Sequence, residues 1–70
     1  MASEPQLPDW AGGLVGLDET AAAARAEANG GVVRVIERDG QPLAMTMDFR
    51  ETRMNVVVAD GLITAVHSRG

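Results

Sequence analysis

The side chains best suited to a specific interaction lie close together between positions 46 and 53. Thr46 and Asp48 stand two residues apart, and Arg50 and Arg53 follow within five residues of Asp48. An arginine guanidinium can hold a carboxylate through two parallel hydrogen bonds. The spacing therefore predicts an internal brace for this part of the chain. The alternative is an ordinary exposed ion pair, worth about 0–1 kcal/mol.

The remaining reactive residue types do not form a catalytic or metal-binding set. The chain has 70 residues, no cysteine and a single histidine, His67, which excludes a disulfide framework and zinc sites built on cysteine or on several histidines. Ser68 adjoins His67, but neighbours in a strand point to opposite faces and no third residue is placed to orient the pair. We expect no enzyme activity, no cofactor and no bound metal.

Charge and hydropathy limit the partners of the chain. The net charge is −4, with six basic residues that are all arginine, which argues against a nucleic acid because phosphate binding needs a basic face. The longest apolar run, 56–59, is far too short to cross a membrane. No apolar leader opens the sequence, so we expect either a cytoplasmic protein or the mature part of an exported one, and a monomer in both cases.

The first half of the chain predicts a tail followed by one helix. Residues 1–9 carry two prolines and few apolar groups, which is typical of a flexible tail, and residues 10–70 form a single domain. The alanine-rich stretch 20–28 predicts a helix, with Asp18 as its N-cap and Asn29-Gly30 as its end. We expect Trp10 to pack at the core edge, and one smooth helix face to be formed by Ala22, Ala23 and Ala26.

The second half predicts strands. Three stretches rich in β-branched residues lie at 32–37, 53–58 and 62–67. The Asp-Gly turn at 59–61 joins the last two as an antiparallel hairpin. Alternation places one apolar face on the middle strand, made of Met54, Val56 and Val58. The predicted fold is α+β, with one helix packed on a small mixed β-sheet and a long exposed binding loop between the first two strands.

The connection 38–52 is unusually long for a compact domain. Its length suits a crossover between parallel strands. It also carries apolar side chains where solvated loops carry polar ones, namely Leu43, Ala44, Met45, Met47 and Phe49. These side chains could face outward, as in a protein-binding epitope or an extended peptide held by a protease, or fold inward to enlarge the core. The predicted brace favours the outward arrangement.

The motifs Thr46-Met47-Asp48-Phe49-Arg50 and Arg53-Met54-Asn55-Val56 resemble the potato inhibitor I family of serine protease inhibitors, which are eglin-like and barley chymotrypsin inhibitor-like proteins. The resemblance is closest to the short bacterial and fungal branch. It covers about residues 10–70, and further matching positions are Trp10, Leu14-Val15-Gly16, Asp18, Ala22 and Gly70.

The resemblance implies that Met47 enters the primary pocket of a serine protease and that Met47–Asp48 is the reactive bond. The implied protease-binding loop consists of Met45, Thr46, Met47, Asp48, Phe49 and Arg50. Arg53 matches an arginine that supports this loop, and Asn55 stands where many plant and leech members have a second one. An unbranched apolar side chain suits subtilisin-, chymotrypsin- or elastase-like enzymes. The alternative is a non-inhibitory interaction module of the same fold that uses residues 43–50.

Overall fold

The structure is a computed structural model that describes residues 7–70. A 3₁₀ helix and one α-helix precede four strands: Asp9–Leu14 (3₁₀), α1 Glu19–Ala28, β1 Val32–Arg38, β2 Gln41–Pro42, β3 Arg53–Ala59 and β4 Leu62–Arg69. The sheet order is β2-β1-β3-β4, with β1 parallel to β3 and the other pairs antiparallel. One helix on a small mixed sheet confirms the predicted α+β fold.

The ends of helix α1 follow the expected capping. The Asp18 carboxylate accepts a hydrogen bond from the Ala21 amide at 2.7 Å, so it satisfies one of the free N–H groups of the first turn. At the other end, the Asn29 side-chain amide donates to the Arg25 carbonyl at 2.8 Å, and Gly30 takes a positive φ of 78°. The helix begins at Glu19, directly after the predicted N-cap Asp18.

The core lies between helix α1 and one face of the sheet. The predicted apolar face of β3 is fully buried there, and the core cluster consists of Ala11, Leu14, Ala22, Met54, Val56, Val58 and Ile63. Trp10 packs against this cluster, as predicted. Ala22 and Ala26 are buried, but Ala23 is exposed, because successive helical residues are rotated by about 100° around the axis.

Strand β2 was missing from the predicted sheet. Asp39 and Gly40 both take positive φ, 51° and 82°, a turn geometry that matches the twist of paired strands. The turn folds Gln41–Pro42 back onto the end of β1. The predicted connection 38–52 was therefore wrong at its start, and the segment without regular pairing begins at Leu43.

The remaining parts of the fold are the hairpin turn and the N-terminal residues. The turn at Asp60-Gly61, with φ of 52° and 78°, joins β3 to β4 as predicted. Of the predicted tail 1–9, residues 1–6 lie outside the described residues, and Asp9 is the first residue of the 3₁₀ helix. Within residues 7–70, no helix has the length and apolar character needed to cross a membrane.

Candidate functional site

Residues 43–52 cross from the short strand β2 to the start of β3, and every one of them is exposed. We call this segment the crossover loop. Backbone hydrogen bonds hold its two ends. The Leu43 amide donates to the Ile36 carbonyl at 2.9 Å, the Arg50 amide to Gly70 O at 3.3 Å, and the Val32 amide to the Thr52 carbonyl at 2.9 Å. The loop is thus a bridge whose two ends are tied to the sheet and to the end of β4.

The apolar side chains of the crossover loop face outward. Met47 has a relative accessibility of 102%, so it is as exposed as in an extended peptide, and Met45 and Phe49 are also exposed. The alternative in which these side chains enlarge the core is therefore wrong. The Phe49 ring packs against Gly70, and a Cβ atom built on that glycine would lie 2.8 Å from the ring. The backbone φ of Gly70 is +135°. Any side chain at position 70 would displace the phenyl ring.

Asp48 is the centre of a hydrogen-bonded cluster. The Thr46 hydroxyl donates to Asp48 Oδ1, Arg53 Nη1 donates to Oδ2 at 3.4 Å, and Arg50 Nε lies 3.5 Å from Oδ2. The hydrogen bond from Thr46 and that from Arg53 lower the pKa of Asp48 from 3.8 to about 2. The structure thus brings Thr46, Asp48, Arg50 and Arg53 together as the spacing predicted.

Arg53 connects the crossover loop to Gly70. Its Nη2 donates to the Asp48 carbonyl at 3.0 Å and to Gly70 O at 2.8 Å. Its side chain is only 12% exposed. Alternation along β3 directs Arg53 to the face opposite the core residue Met54. The same strand therefore supplies the core on one face and the loop support on the other.

Asn55 is linked to the crossover loop indirectly. It is buried, and its amide donates to Ser68 Oγ at 3.1 Å while its Oδ1 accepts from Arg34 Nε at 2.8 Å. Arg34 in turn reaches the loop, since its Nη1 donates to Thr46 Oγ1 at 3.0 Å. Asn55 supports the loop through Arg34, a residue that the sequence analysis did not predict. The sequence does show that Arg34 is a charged residue between the strand valines Val33 and Val35. The hydrogen-bond partners of Arg34, however, depend on how the strands are paired.

His67 and Ser68 are in contact, contrary to the expectation that they point to opposite faces. His67 Nδ1 lies 3.0 Å from Ser68 Oγ. The β3–β4 pairing shifts from Asn55↔Ser68 to Val56↔Val66, so His67 sits at a β-bulge, which breaks the simple alternation.

Among residues 7–70, no group of three or more acidic or histidine side chains could hold a metal ion.

Comparison with known proteins gives no relative for this chain: no protein-family model, no curated protein and no solved structure matches it.

Proposed function

We propose that this chain is an inhibitor of serine proteases, without enzyme activity of its own. In this proposal, residues 45–50 are presented to the protease as a substrate-like loop, with Met47–Asp48 as the reactive bond. The observation that carries the proposal is the contrast at Met47. Its side chain is fully exposed, while Thr46 and Asp48 on either side are hydrogen-bonded to arginines of the sheet.

This contrast is what a substrate-like inhibitor needs. A protease binds an extended peptide through its main chain and through pockets for alternate side chains. A loop that is already held in an extended form loses little conformational entropy on binding. Arg53 contacts Asp48 through both its carboxylate and its carbonyl, so the residue after the reactive bond is restrained at two points. The support thus favours tight binding.

The same support would slow net cleavage. When the Met47–Asp48 bond is hydrolysed, the new amino end at Asp48 remains hydrogen-bonded to Arg53, which is itself held by Gly70 O. The Thr46 hydroxyl also bonds to Asp48 across the cut. The two ends therefore stay close, which favours rejoining over release.

The chemistry of Met47 defines the class of partner. A flexible, unbranched thioether side chain fits an apolar pocket, as in subtilisin-, chymotrypsin- and elastase-like enzymes. It offers no positive charge to a pocket with a buried carboxylate, so trypsin-like enzymes are not expected partners.

The test is a titration of subtilisin, chymotrypsin and elastase with the chain, followed through residual peptidase activity. We expect stoichiometric inhibition of at least one enzyme. Met47→Asp should weaken inhibition by about a hundredfold or more, because it buries an unpaired charge in the protease pocket. Leu62→Asp is the matched control: Leu62 is exposed and pairs with Ala59, at the end of β3 remote from Arg53.

The outcomes separate the two candidate functions. Stoichiometric inhibition that is lost in Met47→Asp and kept in Leu62→Asp supports the inhibitor. Rapid cleavage at Met47–Asp48 with no inhibition, or no interaction with any of the three enzymes, would refute it and leave a non-inhibitory interaction module as the remaining candidate.

A further inference from the structure

Arg34 holds the side of the crossover loop that Arg53 does not reach. Its three guanidinium nitrogens donate to three different parts of the molecule: Nε to Asn55 Oδ1 at 2.8 Å, Nη1 to Thr46 Oγ1 at 3.0 Å, and Nη2 to Gly70 O at 3.4 Å. Arg53 contacts Asp48 and the same Gly70 oxygen. The two arginines thus approach the Met47–Asp48 bond from opposite ends.

The contacts form a closed ring. Arg34 donates to the Thr46 hydroxyl, which donates to the Asp48 carboxylate; Arg53 donates to that carboxylate and to Gly70 O, which also accepts from Arg34. Every proton in the ring points from a donor to an acceptor, so all these bonds can form at once. Removing Arg34 opens the ring next to Thr46 and leaves the other contacts of Asp48 in place.

The strand register fixes Arg34 in this position. Arg34 on β1 is the parallel partner of Asn55 on β3, so the two side chains lie on the same face of the sheet. Asn55 is buried and is itself held by Ser68. The Asn55 Oδ1 therefore aims the planar guanidinium, whose other nitrogens reach out to the loop.

Resting on the proposed function, we propose that Arg34 is a positioning residue that keeps the Met47 side of the reactive bond aligned. Hydrolysis adds one water, leaving a carboxylate on Met47 and an amine on Asp48; rejoining the bond releases that water. Arg53 retains the new amine end, and Arg34 retains the new carboxylate end through Thr46. Alignment of both ends is required for rejoining.

The test compares Arg34→Ala, Arg34→Lys and Arg38→Ala with the unmodified chain. Arg38 is the matched control, because it lies on the same strand and makes its ion pair with Glu19 of helix α1. Two quantities are measured. The first is the equilibrium ratio of cleaved to intact chain, reached in the presence of a catalytic amount of protease. The second is the backbone order parameters of Thr46 and Met47, obtained by ¹⁵N relaxation in the absence of protease. Thermal unfolding shows whether each variant is folded.

We expect Arg34→Ala to raise the cleaved-to-intact ratio by about tenfold, the effect of about 1.4 kcal/mol on an equilibrium constant. It should also lower the order parameters of Thr46 and Met47. Arg34→Lys should behave like Arg34→Ala, because one ammonium group cannot span the three acceptors. Arg38→Ala should leave both quantities unchanged.

The two readouts separate this proposal from the proposed function. Folded Arg34 variants with unchanged order parameters would overturn the positioning role, whether or not the chain inhibits a protease. If Arg34→Ala does not fold, Thr46→Val takes its place. This change removes the acceptor of Arg34 Nη1 together with the hydroxyl that donates to Asp48, and unchanged order at Met47 would again overturn the proposal. Failure of the unmodified chain to inhibit any protease refutes the proposed function alone, because the relaxation measurement needs no protease.

Discussion

At the scale of single residues, Met47 should determine which protease is inhibited without affecting the fold. Its side chain is fully exposed, so Met47→Lys should change the free energy of unfolding by no more than about 0.5 kcal/mol. The new charge should shift inhibition from apolar-pocket enzymes toward trypsin-like ones. Inhibition constants against a panel of proteases check this. The control is Met45→Lys, and unchanged selectivity in Met47→Lys would contradict the assignment of the reactive bond.

Asp48 should make the order of the crossover loop depend on pH in the acidic range. Its pKa is lowered from 3.8 to about 2 by the hydrogen bonds from Thr46 and Arg53. A lowered pKa means that the ionised form is stabilised in the folded protein, so its contribution is complete above about pH 4 and is lost as the pH falls through about 2. A ¹³C titration of the Asp48 carboxyl measures the midpoint. A midpoint near 3.8 would contradict the brace. The brace would also be contradicted if the order of the crossover loop changed with pH in Asp48→Asn as it does in the unmodified chain.

The residues of the site differ in how far the sequence could predict them. Thr46, Asp48, Arg50 and Arg53 are near neighbours in the chain, so their spacing alone indicated a cluster. Arg34 lies far from Thr46 in sequence, and its contact arises only once β1 and β3 pair in parallel register. A contact that depends on strand register cannot be read from local spacing.

At the scale of elements, helix α1 and the crossover loop should be separable. Asp18 caps the helix through the Ala21 amide, and Asp18→Ala should lower the free energy of unfolding by about 1 kcal/mol. The cap makes none of the loop contacts described above, so the inhibition constant and the cleavage rate at Met47–Asp48 should not change under conditions where the variant is folded. Chemical denaturation measures the free energy of unfolding, and inhibition assays measure the inhibition constant. Faster cleavage in the folded Asp18→Ala protein would show that the elements are coupled.

The elements themselves were mostly predictable from periodicity. The helix and the three long strands have strong patterns: alanine-rich in one case and β-branched in the others. Strand β2 has no such pattern, since it consists only of Gln41–Pro42. It forms because the Asp39-Gly40 turn returns the chain along β1, so its existence follows from turn geometry and not from strand propensity.

At the scale of the whole molecule, a chain without cysteine holds an exposed loop with hydrogen bonds from two strands. Arg53→Ala should accelerate cleavage of Met47–Asp48 by a larger factor than it weakens folding, because the side chain serves the loop on the face remote from the core. Asp48→Ala should act in the same direction. Since the two residues are direct partners, their double variant should be non-additive.

The measurements for this pair are cleavage rates by mass spectrometry and unfolding free energies for the single and double variants. Additive effects on the cleavage rate would mean that Arg53 and Asp48 do not act as a pair. An equal loss of stability with an unchanged cleavage rate would mean that Arg53 is a purely structural residue.

The most direct test of the proposed function is to mix the chain with subtilisin at a one-to-one ratio and follow both peptidase activity and the mass of the chain. We predict lasting inhibition, with slow and incomplete cleavage at the Met47–Asp48 bond alone. Rapid and complete cleavage with full recovery of peptidase activity would contradict the account, because it would make the crossover loop a substrate.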